Sequence, residues 1–146
     1  MILRRARADE SAACARIQWD ANRVSLPFLP AEPFGPGILE FFANVLFAEN
    51  EVWVADEGGA PVGYVAFHPG WVEHLYVLPD HQAQGVGPAL LAKALEDGTP
   101  RFLWTFQKNT RARRFYESRG WRLVELTDGA GNREKEPDAR YEWPGG

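Results

Sequence analysis

Apolar and polar positions along this chain switch between a period of two and a period near 3.6, and each switch marks a predicted element. Residues 2–8 read as a short strand. Asp9 or Ser11 is placed to cap a helix running to about Asn22, with Ala13, Cys14 and Ile17 on its inner face. The pattern then breaks over residues 27–37. There Pro27, Pro30, Pro33 and Pro36 recur every third residue, the period of a polyproline II helix, with Phe28, Leu29 and Phe34 between them. A second helix is predicted over 37–49. Its apolar positions Ile38, Leu39, Phe42, Val45, Leu46 and Phe47 make a face wide enough to imply burial on more than one side. Residues 51–56 and 62–67 alternate as strands, joined by the hairpin signal Asp56-Glu57-Gly58-Gly59. The turn His68-Pro69-Gly70 leads into the apolar, β-prone run 71–78, so three strands form an antiparallel meander.

Residues 73–92 organise the rest. Pro79 and Asp80 end the strand, because proline lacks the N–H that a ladder needs. Gly85 and Gly87 follow, and Pro88 takes the place of a first helical residue. Leu90, Leu91, Ala94 and Leu95 share one helical face, and Gly98 ends the run. A helix that starts right after a glycine loop aims free N–H groups and the positive end of its dipole at one spot, which suits a phosphate. Two glycines alone are equally consistent with a plain strand–turn–helix joint. Next, Phe102, Trp104 and Phe106 alternate with Leu103 and Thr105 as a strand. Asn109 and Thr110 precede a helix over 111–119 that Gly120 stops, and 121–127 and 140–143 read as final strands. The polar segment 128–138, with Gly129, Gly131 and Pro137, is a loop. With no repeat and no linker, residues 1–146 are expected to form a single domain.

Composition narrows the classes. A 146-residue chain that is 45% hydrophobic and holds six Trp supports a packed core. A net charge of −4 argues against non-specific nucleic-acid or anionic-membrane binding, although a local basic patch stays compatible. One Cys excludes an intramolecular disulfide, and Cys14, in an Ala-rich helix, reads as packing rather than as a nucleophile. The opening Met-Ile-Leu-Arg-Arg-Ala-Arg has no signal-peptide core, and no run nears the roughly 18 apolar residues of a membrane span. A soluble, cytoplasmic protein is expected. The three His show no ligand spacing with carboxylates or Cys, so no metal is expected.

Two blocks carry a resemblance. The first is Val77-x-Pro79-x-x-Gln82-x-x-Gly85-x-Gly87, and the second is Asn109-x-x-Ala112-x-x-Phe115-Tyr116-Glu117-x-x-Gly120-Trp121. Together they resemble the GCN5-related N-acetyltransferase (GNAT) superfamily, the first its pyrophosphate motif and the second its later block with a frequently acidic-role Tyr. The predicted order β-α-α-β-β-β-α-β-α-β-β is the family's order and covers essentially the whole chain. The resemblance implies an α/β (α+β) fold, with a central mixed, mostly antiparallel sheet of about 6–7 strands flanked by about 4 helices.

It also implies acetyl-CoA as cosubstrate and assigns roles. Backbone N–H groups across Gln84, Gly85, Val86, Gly87, Pro88 and Ala89 would cradle the pyrophosphate, with Gln82 adding a side-chain donor. Ala83 and Gln84 stand where many relatives carry basic residues, so binding would lean on backbone dipoles. The pantetheine arm would lie along Leu75, Tyr76 and Val77 like an added strand. Asn109 would bond the arm or cap the next helix, and Ala112, Phe115 and Tyr116 complete the cofactor-contacting set. Tyr116 would protonate the leaving thiolate; packing beside Phe115 is its alternative. An oxyanion donor is expected at a backbone N–H near Tyr76 or Val77.

For the base, Glu73 is the first candidate. Strict alternation puts it on the face of Leu75 and Val77, where burial would raise its pKa, unless a family-type β-bulge alters the parity. Glu73 also fits as a ligand for the amine. His74, pointing the other way, is the rival base or a core residue; neither acting is the third option. His68 and His81 lie in turns and are expected to be solvated. Phe28, Phe34, Trp71 and Trp104, with Trp19, are candidates to line an acceptor pocket, against a default of core packing. Residues 27–37 form a stiff loop, a pocket wall or a docking segment for a proline-binding module. Glu134, Glu136 and Asp138 steer an amine or simply form a solvated turn.

The activity expected is acetyl transfer from acetyl-CoA to a primary amine, of a small molecule, by direct attack on the thioester. Peptide or protein N-terminal or lysine acetylation, and a non-catalytic acyl-CoA sensor, are the alternatives; a homodimer is left open. A dinucleotide oxidoreductase is excluded, because its third glycine falls on Leu90 and the strands form a meander.

Overall fold

A computed structural model describes residues 1–30 and 32–146, in two compact units: Met1–His68 with Val72–Glu96, and Pro69–Trp71 with Asp97–Gly146. Seven strands and the helical segments follow the order read from the pattern; antiparallel pairs join residues 2–5 with 53–56, 51–57 with 60–67, 101–106 with 138–143 and 122–126 with 139–142, while Trp71–Phe102 is a parallel pair, a mixed α/β arrangement.

In the first unit, β1 (Ile2–Arg5), β2 (Glu51–Glu57), β3 (Ala60–His68) and β4 lie in sheet order, β4 spanning Trp71–Val77 with its first residue in the second unit. The β2–β3 hairpin closes on Gly58 and Gly59, both at positive φ (65° and 94°), as a two-residue turn of this hand demands. Residues 62–67 of β3 are buried without alternation, the signature of a strand covered on both faces. One cover is α1 (Ser11–Ser25) with the helical run 36–49. That run is α2 (Pro36–Phe41), a π-type turn (Phe42–Leu46) and α3 (Phe47–Glu49). Cys14, Ile17, Phe42, Leu46, Val52, Val54 and Tyr64 form the core there. Cys14 is packing, as expected, and burial pushes its thiol up to about 12. The other element is α4 (Val86–Ala94), whose Val86 and Leu90 face Gly63 of β3.

Three expectations need correction. Neither Asp9 nor Ser11 caps α1; a 3₁₀ turn at Ala8–Glu10 precedes it, and the Glu10 carboxylate accepts the Arg7 N–H (2.8 Å). Glu10 can be buried there because Arg4 grips it with both terminal guanidinium nitrogens (2.8 and 2.7 Å) and reaches Asp56 through Nε as well (2.9 Å). The second helix buries one stripe only: Phe42 and Leu46 go inside, while Phe41 and Val45 are exposed. The proline stretch does not begin as polyproline II; Leu29 N–H returns to Leu26 C=O (3.1 Å), closing a turn. Ala31, within that stretch, lies outside the described residues.

In the second unit, β5 (Arg101–Phe106) pairs with β7 (Asp138–Trp143), which pairs on its other side with β6 (Arg122–Leu126). Leu103 is buried, whereas Trp104 on the opposite face of β5 is 44% exposed. Helix α5 (Thr110–Ser118) is tied to β7 through the buried Tyr141, whose hydroxyl donates to Glu117 (2.5 Å) and accepts from Arg113 Nε (3.0 Å). Among the described residues, no helix is long and apolar enough to cross a membrane.

Candidate active site

In the first unit the glycine loop is built by backbone conformation. Gly85 sits at φ 85° as the residue before α4, and Ala83 is also left-handed (φ 61°). The helix therefore starts at Val86, two residues before the predicted start, and Pro88 occupies its third position, where a missing N–H still costs nothing. This narrows the predicted cradle. Pro88 has no N–H, and the Ala89 N–H is spent on Gly85 C=O (3.2 Å). That leaves the N–H groups of Gln84, Gly85, Val86 and Gly87, at the loop and opening turn of α4, where an α-helix supplies no acceptor of its own. A Cβ built on Gly85 would meet nothing within 4 Å, so the space over the loop is open. Gln82 is not aimed at that space: its Nε2 donates to Val77 C=O (3.0 Å) and pins the loop to the end of β4. Gln84 Nε2 leans on Asp80 C=O (3.5 Å).

On β4 the expected parity fails. Val72 and Val77 are both buried although they lie five positions apart, on opposite parities, so strict alternation of burial does not run through the strand. Glu73 is exposed instead of sharing a buried face, with 42% of its side chain accessible. Its Oε1 meets His68 Nε2 at 3.0 Å. His68 is thus the end of β3 and a partner to Glu73, rather than a free solvated turn residue. His74 lies among the rings of Phe42, Tyr64 and Tyr76 (centroids 5.7, 5.9 and 5.4 Å). Its Nδ1 is 2.8 Å from the Tyr64 hydroxyl, and desolvation lowers its pKa to about 4. A neutral imidazole held in an aromatic cluster fits the packing alternative. Leu75 and Tyr76 are half-buried. Phe34 stacks edge-on against Trp19 (6.0 Å), with Arg16 over both rings (5.0 and 4.9 Å), and Phe28 is half-buried in the turn after α1.

In the second unit, Asn109 Oδ1 accepts the Ala112 N–H (3.2 Å) and caps α5, which leaves its Nδ2 donors for another partner. Tyr116 is buried between Phe115 and Trp121 (5.3 and 5.6 Å), and the Glu117–Tyr141–Arg113 network fixes the helix that carries it. Trp71 stacks on Phe102 (5.5 Å). Trp104 opens onto a cleft of about 450 Å³ that it shares with Phe106, Thr127, Asn132, Glu134 and Asp138. The loop forming its rim is ordered from within. Asn132 Nδ2 donates to Glu136 C=O (2.7 Å) and Asp138 Oδ2 (3.1 Å), and Gln107 Nε2 holds both ends through Thr127 C=O and Asp138 C=O (2.8 and 3.0 Å).

The pattern of the sequence did not single out His68 or the Phe106–Asn132 side of the cleft. For His68 a signal existed: a His and a Glu flanking a Pro-Gly turn can meet across the hairpin. Among the described residues, no group of three His, Cys, Asp or Glu could hold a metal ion.

The profile of the Acetyltransferase (GNAT) family matches residues 11–121. The "Probable N-acetyltransferase Rv2775" of Mycobacterium tuberculosis is 33% identical over 81 residues, 49% of this chain and 47% of that protein, so the chain spans about half of that relative's length. The peptidyl-lysine N-acetyltransferase YiaC of Escherichia coli K12 is 24% identical over 125 residues, 85% of each chain. The structure of YncA from Salmonella typhimurium, solved with its cofactor acetyl-CoA, shares the fold at a TM-score of 0.73, with 20% identity over 97% of this chain and 91% of that one.

Proposed function

The chain belongs to the acetyltransferase (GNAT) family, and from that premise we propose that it moves an acetyl group from acetyl-CoA to the primary amine of a small molecule by direct attack on the thioester. The observation that carries the cosubstrate is the loop before α4: the backbone N–H groups from Gln84 to Gly87 lie at a helix N-terminus, with open space over Gly85. An anionic pyrophosphate is the group such a neutral cradle holds best. YncA, whose fold this chain shares, was solved with acetyl-CoA.

Glu73 takes the proton that the ammonium loses, through an accessible carboxylate. A backbone N–H near Tyr76 or Val77 stabilises the charge that builds on the carbonyl oxygen. Tyr116 returns a proton to the leaving thiolate; a phenol of pKa near 10 matches a thiolate of similar basicity. Leu75–Val77 backbone pairs with the pantetheine arm, and Asn109 adds its free amide N–H. The small-molecule acceptor is supported by the cleft beside Trp104: its aromatic floor and the Glu134 and Asp138 carboxylates suit an amine with a flat apolar part.

A peptidyl-lysine acceptor is the second reading, favoured by YiaC, which aligns over 85% of the chain. Release of CoA should be followed with a panel of small amines and lysine peptides, using wild type and Tyr116→Phe. Turnover of a small amine that falls in Tyr116→Phe supports the proposal. Turnover of lysine peptides alone selects the second reading. Tight acetyl-CoA binding without turnover on any amine makes the chain a sensor.

A further inference from the structure

We propose that His68 is a positioning residue that holds the Glu73 carboxylate in its working orientation; this rests on the reading of Glu73 as the base. An exposed Glu on a strand has many accessible rotamers, and ordering it is entropically costly. Here one oxygen is held: Glu73 Oε1 lies 3.0 Å from His68 Nε2. The pairing is a product of the hairpin. His68 is the last residue of β3, Gly70 turns the chain at φ 85°, and Glu73 is the third residue of β4, so the two side chains meet across a two-residue turn.

Both side chains are accessible, 35% for His68 and 42% for Glu73, so an amine can reach the carboxylate without displacing the imidazole. The ring N–H donates to Oε1, and Oε2 stays open to accept the proton that the amine loses. That proton goes onward to water; no bond to His68 forms or breaks. The arrangement follows the general pattern of a base oriented by a third group. His74, the neighbouring imidazole, cannot share this task, because its Nδ1 is engaged by the buried Tyr64 hydroxyl and its ring by three aromatic neighbours.

The test compares His68→Ala, His68→Gln, Glu73→Gln and the double variant His68→Ala/Glu73→Gln. Each is assayed for kcat and KM on the best acceptor of the amine panel, with thermal melts as a folding control. Loss of orientation should lower kcat roughly 10–100-fold in His68→Ala, with KM for acetyl-CoA unchanged. His68→Gln should recover most of kcat, since a Gln amide N–H can donate from a similar place. In the Glu73→Gln background, His68→Ala should have no further effect. A His68→Ala enzyme with normal kcat, or an equal loss in both backgrounds, overturns the positioning role while leaving Glu73 as base. A Glu73→Gln enzyme with normal kcat overturns the base and this inference together.

Discussion

Replacing Gly63 by Ala tests how α4 and its glycine loop are seated. A Cβ at Gly63 would meet Leu90 Cδ1, Val86 Cγ1 and the Tyr76 carbonyl oxygen, each at 3.1 Å. Carbon contacts relax at about 3.5–4.0 Å, so roughly half an ångström must be found. None of the three neighbours yields easily: Leu90 and Val86 are buried, and the Tyr76 oxygen belongs to the main chain of β4. Overpacking of this kind costs roughly 1–3 kcal/mol. Against it, Ala at an ordinary φ regains about 0.4–1 kcal/mol by restricting the unfolded chain. The steric cost wins by about 1–2 kcal/mol, which at about 2–4 °C per kcal/mol lowers Tm by roughly 2–8 °C. Val86 opens α4, so the strain is relieved by lifting the end of the helix that carries the loop, and affinity for acetyl-CoA falls with stability. Circular-dichroism melts and titration calorimetry read both. Gly37→Ala is the control, because a Cβ there meets nothing within 4 Å. A Gly63→Ala protein that melts at or above the wild-type temperature and binds acetyl-CoA normally would refute this account of the packing.

Gly85→Val should abolish acetyl-CoA binding: a branched side chain at φ 85° is strained and fills the open space over the loop, and near-normal affinity by calorimetry would sink the loop assignment. Ala83→Gly should stabilise the protein by about 0.5–1 kcal/mol, since removing a left-handed Cβ residue outweighs the entropy that Gly adds; a lower Tm in calorimetry counts against it. For Glu10 the hydrogen bonds from Arg4 hold the carboxyl down from 4.5 to about 2. A depressed pKa means stability that is full above about pH 4.5 and lost as pH falls through about 2. Glu10→Gln should therefore lower Tm at neutral pH, with the gap to wild type closing over that window; a gap constant down to pH 2 would contradict the sign.

Element order was legible because each element announces itself locally. Alternation marks β2, glycines at positive φ mark the hairpin and the start of α4, and the Asn109 side chain marks the start of α5. What stayed hidden depends on partners far along the chain. Arg4 bonds Asp56, 52 residues away, and that pairing lets Glu10 go inside and replace the predicted cap. Apolar content alone could not say which face of the helix over 36–49 is covered; Phe42 and Leu46 are buried in the core and Ile38, Leu39 and Phe47 pack against it, while Phe41 and Val45 stay exposed. The glycine loop was read in the right place, but the number of its useful donors depends on where the helix begins, and a two-residue shift spends Ala89 and leaves Pro88 without effect.

Glu73 and His74 show why the base was the hardest residue to place. Strict alternation, with Leu75 and Val77 taken as the inner face, sends Glu73 inward. Desolvation opposes that, because an ionised carboxylate without a cationic partner costs far more to bury than a neutral imidazole with a hydroxyl partner. Tyr64 supplies that hydroxyl and Phe42 and Tyr76 supply the rings, so His74 takes the enclosed place and becomes a poor proton acceptor. Glu73 is left accessible, which a base for an incoming amine requires, but accessibility alone leaves its carboxylate unoriented. The hairpin resolves this by ending β3 on His68, within hydrogen-bond reach of Glu73. Catalysis by Glu73 is thus expected to depend on a residue that belongs to neither family motif, and His68 is where an acceptor-independent loss of kcat should be sought first.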